Sequence, residues 1–178
     1  VFDEVQAVIG PYPSLPLACQ AYNPEAVVVA QKVADLVHAY LPVVRVEHVG
    51  STAVPKCEGK GTVDLMIPAN GEEMGKIKDL LERLGFQPQT GADPFPEDRP
   101  MRVGSLEHDG ATFSLHVHVI PADSPEVDSM LFARACLRAD SELMRAYIAQ
   151  KRQIIKSGVA DSAEYCRQKG EFLKMVFG

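Results

Sequence analysis

The chain has 178 residues, 46% of them hydrophobic and 24% charged, which is enough for a domain with its own core and excludes a collagen, a disordered tail or a disulfide miniprotein. A formal net charge of −6 and a pI of about 5.4 exclude a basic footprint for a nucleic-acid polymer or an anionic membrane, while small anions held by local donors stay open. The four cysteines, Cys19, Cys57, Cys136 and Cys166, form no C-x-x-C pair and read as free thiols of a cytoplasmic protein. The chain shows no signal peptide and no apolar run near the roughly 18 residues of a membrane span.

Residues 1–22, with Gly10, Pro11, Pro13 and Pro16, read as an irregular arm. Asn23-Pro24-Glu25 is a helix start, Val29, Val33, Leu36, Val37 and Tyr40 follow at helical spacing, and Pro42 ends the helix. Val43–Val49 is β-branched and reads as a strand broken by Gly50-Ser51-Thr52; a second strand runs from Thr62 to Ile67. Met74, Ile77, Leu80, Leu81 and Leu84 form a helical stripe closed by Gly85, and Phe86 opens a short strand. The proline-, glycine- and acid-rich stretch 90–100 is a loop and a candidate lid. Met101–Leu106 and Thr112–Ile120 are two strands around Glu107-His108-Asp109-Gly110, because Asp-Gly favours a tight hairpin. Residues 125–138, 140–157 and 161–177 carry helical spacing behind Ser or Asp starts, so three helices end the chain. Residues 1–122 hold 9 Lys and Arg against 16 Asp and Glu, whereas residues 123–178 hold 9 against 8. The expected organisation is thus the arm at 1–22, an α/β core at 23–122 and a helical extension at 123–178 whose cations can wall an anion site.

Chemistry concentrates between His48 and Asp64. A Gly50-Ser51-Thr52 turn leaving a strand aims backbone N–H groups and a hydroxyl at one point, which suits a phosphate, and Asp64 on the next strand suits a divalent cation bridging it. His116 and His118, two apart on a strand, share one face, while Phe113, Leu115, Val117 and Val119 take the other. With Asp64, and with His48 as a fourth group, they compose a two-histidine, one-carboxylate set, open equally to substrate contact or to a structural role. Tyr147 with Lys151 and Tyr165 with Lys169 are four apart on helix faces, as are Arg134 and Arg138. The tyrosine–lysine pairs read either as base-stacking and phosphate groups or as snorkelling lysines beside half-buried rings.

Glu47-His48-Val49-Gly50-Ser51-Thr52-Ala53-Val54-Pro55, then Lys60 and Val63-Asp64-Leu65, resembles the signature of the GrpB family, an uncharacterised family of nucleotidyltransferase-like fold. The resemblance continues through Leu115-His116-Val117-His118-Val119, Leu131-Phe132-Ala133-Arg134, Leu137-Arg138, Tyr147, Lys151, Tyr165, Lys169 and Phe172. It implies an α+β fold, a mixed sheet flanked by helices, and a transferase that binds a nucleoside triphosphate and moves its nucleotidyl group to a small-molecule acceptor. On that reading Gly50, Ser51, Thr52, Lys60, Arg102, Arg138, Lys151 and Lys169 bind phosphate or substrate. Asp64, His116 and His118 carry catalysis and, with His48, hold magnesium or manganese, with zinc open. The superfamily's metal pair sits on Asp-x-Asp, whereas here Met66 follows Leu65, and a two-metal site without its second carboxylate loses the charge that offsets ion–ion repulsion. A non-catalytic nucleotide-binding module is the alternative. Ser114-Leu115-His116-Val117-His118 also resembles the histidine-triad nucleotide hydrolases, in which His116 would be the nucleophile.

Overall fold

The computed structural model describes residues 2, 4–91 and 93–177. Its elements are α1 (Glu25–His38), β1 (Glu47–Val49), a 3-10 turn (Ser51–Ala53), β2 (Val63–Ala69), α2 (Gly71–Leu84), β3 (Gln87–Pro88), β4 (Met101–His108), β5 (Ala111–Pro121), α3 (Pro125–Ala139), α4 (Ser141–Lys156) and α5 (Ser162–Phe177). The strands form one mixed sheet in the order β1-β2-β5-β4-β3, with β2 and β5 parallel and the other pairs antiparallel.

Local chemistry accounts for the element ends. Asn23 Oδ1 accepts from Glu25 N–H before α1. Asn70 and Glu73 form a reciprocal capping box on α2, and Gly85, at φ 107°, closes it. Ser124, Asp140 and Asp161 each accept a backbone N–H in the first turn of α3, α4 and α5. Asp109 and Gly110 both take positive φ, 48° and 76°, as a two-residue hairpin loop demands. The expected strand at 43–49 shortens to its last three residues, because Val44 N–H turns back onto the Leu41 carbonyl and leaves Val43 88% exposed.

One face of the sheet buries Val63, Leu65, Ile67, Leu115, Val117 and Val119 under α1 and α2, whose Val29, Val33, Ile77 and Leu80 complete the main core. On the other face Val49, Met66 and Ile120 pack with Val127 of α3. Helices α4 and α5 pack through Tyr147 and Phe172 on Val54 and Cys57 in the connection between β1 and β2. The part of this second face carrying Asp64, His116 and His118 is left to polar groups.

Gly75 lies inside α2, and a Cβ built there meets nothing within 4 Å. Gly75→Ala is therefore expected to stabilise the protein by about 1 kcal/mol in urea unfolding, because alanine loses less backbone entropy in a helix.

Candidate functional site

Parallel pairing sets Asp64 opposite His116, so alternation places Asp64, His116 and His118 on one face. His116 Nδ1 lies 3.2 Å and His118 Nε2 3.6 Å from Asp64 Oδ1. Burial alone would raise the Asp64 pKa, but the two imidazole N–H groups outweigh it and hold the carboxyl well below its ordinary value. Gly50 abuts the same carboxylate: at φ 73°, its missing Cβ would sit 2.5 Å from Asp64 Oδ2. The glycine turn and the acid thus form one contiguous surface.

Around that surface the expected anion-binding groups divide. The Ser51 side chain is half-buried against Gly59, where the Lys151 ammonium also sits. Lys60 donates to Ser162 Oγ at 3.1 Å and lies 5.5 Å from the Tyr165 ring centre. Lys169 also stands over that ring, 5.8 Å from its centre. Its pKa is raised by Tyr147 first and then, against the cost of burial, by Cys166, Asp64 and Tyr165; of these only Asp64 carries charge near neutral pH. Lys151 is 1% exposed, donates to the Glu58 carbonyl and touches Cys57 Sγ at 3.5 Å, so it is a buried cation and not a snorkelling one. Arg138 donates twice to the Ala53 carbonyl, at 2.9 and 2.6 Å, and holds the turn from behind. Arg134 likewise ties α3 to β1 through Glu47 and the His48 carbonyl.

Three expectations are corrected. Thr52 is buried, accepts or donates at His48 Nε2 (2.9 Å) and donates to the Thr62 carbonyl (3.2 Å), so its hydroxyl serves the fold. His48 pairs with Leu65 and Val49 with Asp64, which points the His48 ring to the face opposite the acid and removes it from the ligand set. Arg102 pairs with Val117 on that same opposite face and spends its guanidinium on Glu82 and Glu97, so it lines no cleft with Asp64. Two groups outside the expected set do line it. The Tyr12 hydroxyl lies 3.0 Å from His116 Nε2, with the rings stacked. Arg99 donates to His118 Nδ1 at 3.1 Å while bound to Glu126 and stacked on Phe95, which brings the 90–100 loop onto the site.

The family model described as GrpB protein matches residues 16–178. The chain belongs to the GrpB family. Among curated relatives, UPF0157 protein PA4798 of Pseudomonas aeruginosa is 31% identical over 144 residues, covering 78% of this chain and 56% of the relative. UPF0157 protein VC_A0354 of Vibrio cholerae is 29% identical over 140 residues, 79% of this chain and 69% of the relative. This chain therefore spans little more than half the length of the first. Among solved structures, GrpB from Enterococcus faecalis superposes with a TM-score of 0.62 at 22% identity, over 90% of this chain and all of that one. A cytoplasmic RNA terminal U-transferase gives 0.54 at 11% identity, over 77% and 42%. The Cid1 poly(U) polymerase with its short product ApU also gives 0.54, at 13% identity, over 76% and 42%. These likenesses establish a nucleotidyltransferase-like α+β fold, in agreement with the sequence.

Whether this GrpB-family site fits a metal turns on its donors. The ligand atoms of Asp64, His116 and His118 lie within 4.8 Å of one another, close enough for one ion. A metal-bound histidine donates its other N–H to an acceptor, and His116 has one in the Tyr12 hydroxyl. His118 instead faces the Arg99 guanidinium, which only donates, so its Nδ1 carries a lone pair and its Nε2 the hydrogen, directed toward Asp64. The full three-ligand set fits only with Arg99 withdrawn. Asp64 by itself fits a hard cation that draws its remaining oxygens from a phosphate. The other histidine–carboxylate group, Glu25 with His108 and Asp109, has the Lys32 ammonium 2.9 Å from His108 Nδ1 and ties α1 to the hairpin tip.

His48 also gives this GrpB-family protein a pH-dependent stability. Burial, opposed by Asp64 and assisted by Arg138 and Arg134, lowers its pKa from 6.5 to about 4. Between those values the unfolded chain binds a proton that the folded chain refuses, so this contribution is intact above pH 6.5 and is lost as pH falls toward 4. Urea unfolding at pH 7 and pH 5 is expected to show a smaller loss for His48→Gln than for the unaltered protein.

Proposed function

We propose that this chain binds a nucleoside triphosphate together with a divalent cation and transfers the nucleotidyl group to a hydroxyl acceptor. The reading rests on one observation above the rest: on a nucleotidyltransferase-like fold, the Gly50-Ser51 turn meets an Asp64 carboxylate held ionised, with Lys169 lacking any hydrogen bond or ion pair among the described residues. A half-buried cation without a partner among the described residues, within the field of Asp64, together with a turn that presents a hydroxyl, is a place prepared for phosphate oxygens. Lys60 and Lys151 supply further positive charge on the same side, while Arg138 keeps the turn in shape.

Asp64 would hold the cation, magnesium or manganese by its oxygen preference. When bound, that ion neutralises the phosphates and makes the α-phosphorus more electrophilic. His116, oriented by Asp64, accepts the proton of the attacking hydroxyl; His118 faces the same carboxylate oxygen. Met66 favours the second reading, a nucleotide-binding module without turnover, because it is fully buried with Val49, Ile120 and Val127 where the superfamily's second carboxylate would stand.

Thermal-shift titration with nucleoside triphosphates and magnesium, manganese or zinc tests binding. The expected result is a cation-dependent rise in Tm that is lost in Asp64→Asn and weakened in Lys169→Met. A rise followed by pyrophosphate release supports the transferase, a rise without release supports the module, and no rise with any cation overturns both.

A further inference from the structure

We propose that Tyr12 is itself a nucleotidyl acceptor, so that this chain modifies its own N-terminal arm. The inference rests on the triphosphate site described above and names a hydroxyl which that site can use. Tyr12 Oη, His116 and Asp64 form a line: hydroxyl to Nε2 at 3.0 Å, then Nδ1 to carboxylate at 3.2 Å. With the Nδ1 hydrogen directed at Asp64, Nε2 presents its lone pair to the phenol, which then donates. A nucleophile within hydrogen-bond reach of a base, with that base oriented by a third group, is the arrangement that activates a hydroxyl for attack. A tyrosine that merely roofed the cleft would need no such alignment.

The arm is built to deliver this hydroxyl. Gly10 and Ser105 exchange both backbone hydrogen bonds, at 2.9 and 3.0 Å, and Ser105 Oγ donates to the Pro11 carbonyl at 2.8 Å. Tyr12 N–H donates to Gln87 Oε1 at 3.1 Å. Gly10 is required for that approach, since a Cβ there would lie 2.9 Å from Ser105 Oγ. The ring remains 38% exposed, which leaves room for a phosphate to reach the oxygen. Tyr12 also lies before residue 16, where the family model begins to match.

In the step, Tyr12 Oη bonds to the α-phosphorus of a nucleoside triphosphate and the bond from that phosphorus to the β-phosphate bridging oxygen breaks. The phenolic proton passes to His116 Nε2, and the imidazolium is stabilised by Asp64. Pyrophosphate leaves, and Tyr12 is left as a nucleotidyl phosphodiester with no change of oxidation state. The product would fix a nucleotide over the cleft and remove the hydroxyl from His116.

The test incubates the full chain with α-labelled ATP or UTP and magnesium or manganese, then denatures it. Expected are label that survives denaturation, an intact mass raised by one nucleoside monophosphate, and a modified peptide containing Tyr12. Tyr12→Phe should lose the label, whereas Tyr40→Phe, on an exposed ring at the far end of α1, should keep it. His116→Gln should slow labelling by about 100-fold, with partial rescue by added imidazole, a response that loss of structure would not give. If nucleotide raises the Tm yet no label forms, or label forms elsewhere than Tyr12, this inference fails and the binding reading stands. If nucleotide raises no Tm, both fall.

Discussion

Gly50→Ala is expected to destabilise the protein by about 3 kcal/mol and to abolish nucleotide-dependent stabilisation. Two causes add. The backbone at Gly50, φ 73° and ψ −172°, lies in a region that essentially only glycine occupies, and an L side chain there costs about 1–3 kcal/mol. The new methyl would also stand 2.5 Å from Asp64 Oδ2 and 3.2 Å from its Cγ, so either the turn or the carboxylate must move. Moving the carboxylate breaks its contacts with His116 and His118 and lets burial raise its pKa again. Gly110→Ala isolates the backbone contribution, since Gly110 has φ 76° with nothing within 4 Å of its built Cβ; it should cost only about 1–2 kcal/mol and leave nucleotide binding intact. Urea unfolding and nucleotide thermal shifts on the two variants separate the effects. Equal losses of stability with equal nucleotide responses would show that Gly50 is a turn residue with no part in the site.

The residues that gave the fold away did so through local physics. Asp109-Gly110 specified a two-residue loop, and Ser124, Asp140 and Asp161 marked three helix starts, because a cap or a tight turn is settled by a few neighbouring atoms. Joining His116 and His118 to Asp64 needed only the two-residue strand period and a neighbouring strand. Arg102 was in fact legible: a two-residue loop pairs His108 with Ala111, and counting back pairs Val103 with His116 and Arg102 with Val117, on the wrong face for the cleft. His48 was not, since the 13 residues between β1 and β2 leave the register free to slip by one. Tyr12 and Arg99 lie in irregular chain with no periodicity to read. Their places depend on hydrogen bonds to residues 75 to 104 positions away for Tyr12, and 19 to 27 away for Arg99. The pairing of Tyr147 with Lys151 followed from helical spacing, but the burial of the lysine depended on where α4 would dock.

Lys151 is expected to separate stability from binding. Its ammonium is almost wholly enclosed between Cys57, the Glu58 carbonyl and the Tyr147 ring, 4.4 Å from the ring centre, and no carboxylate among the described residues pairs with it. Burial is the first cause of its lowered pKa, opposed chiefly by Cys57. A lysine with a depressed folded pKa stabilises least where both states are protonated, so the folded protein bears a cost for keeping this charge dry. Lys151→Met keeps the length of the side chain and removes that cost, while leaving the Glu58 carbonyl short of a donor, worth about 1–3 kcal/mol the other way. The two nearly cancel, and urea unfolding should place Lys151→Met within about 1 kcal/mol of the unaltered protein. Lys151→Ala adds a cavity beneath Tyr147 and should cost about 2–4 kcal/mol. Nucleotide affinity should fall by about tenfold or more in both, because the charge beside Gly59 and the Ser51 turn is gone. Lys151→Met with unchanged stability and unchanged nucleotide affinity would show that the charge serves neither the fold nor the ligand, and would remove Lys151 from the phosphate site.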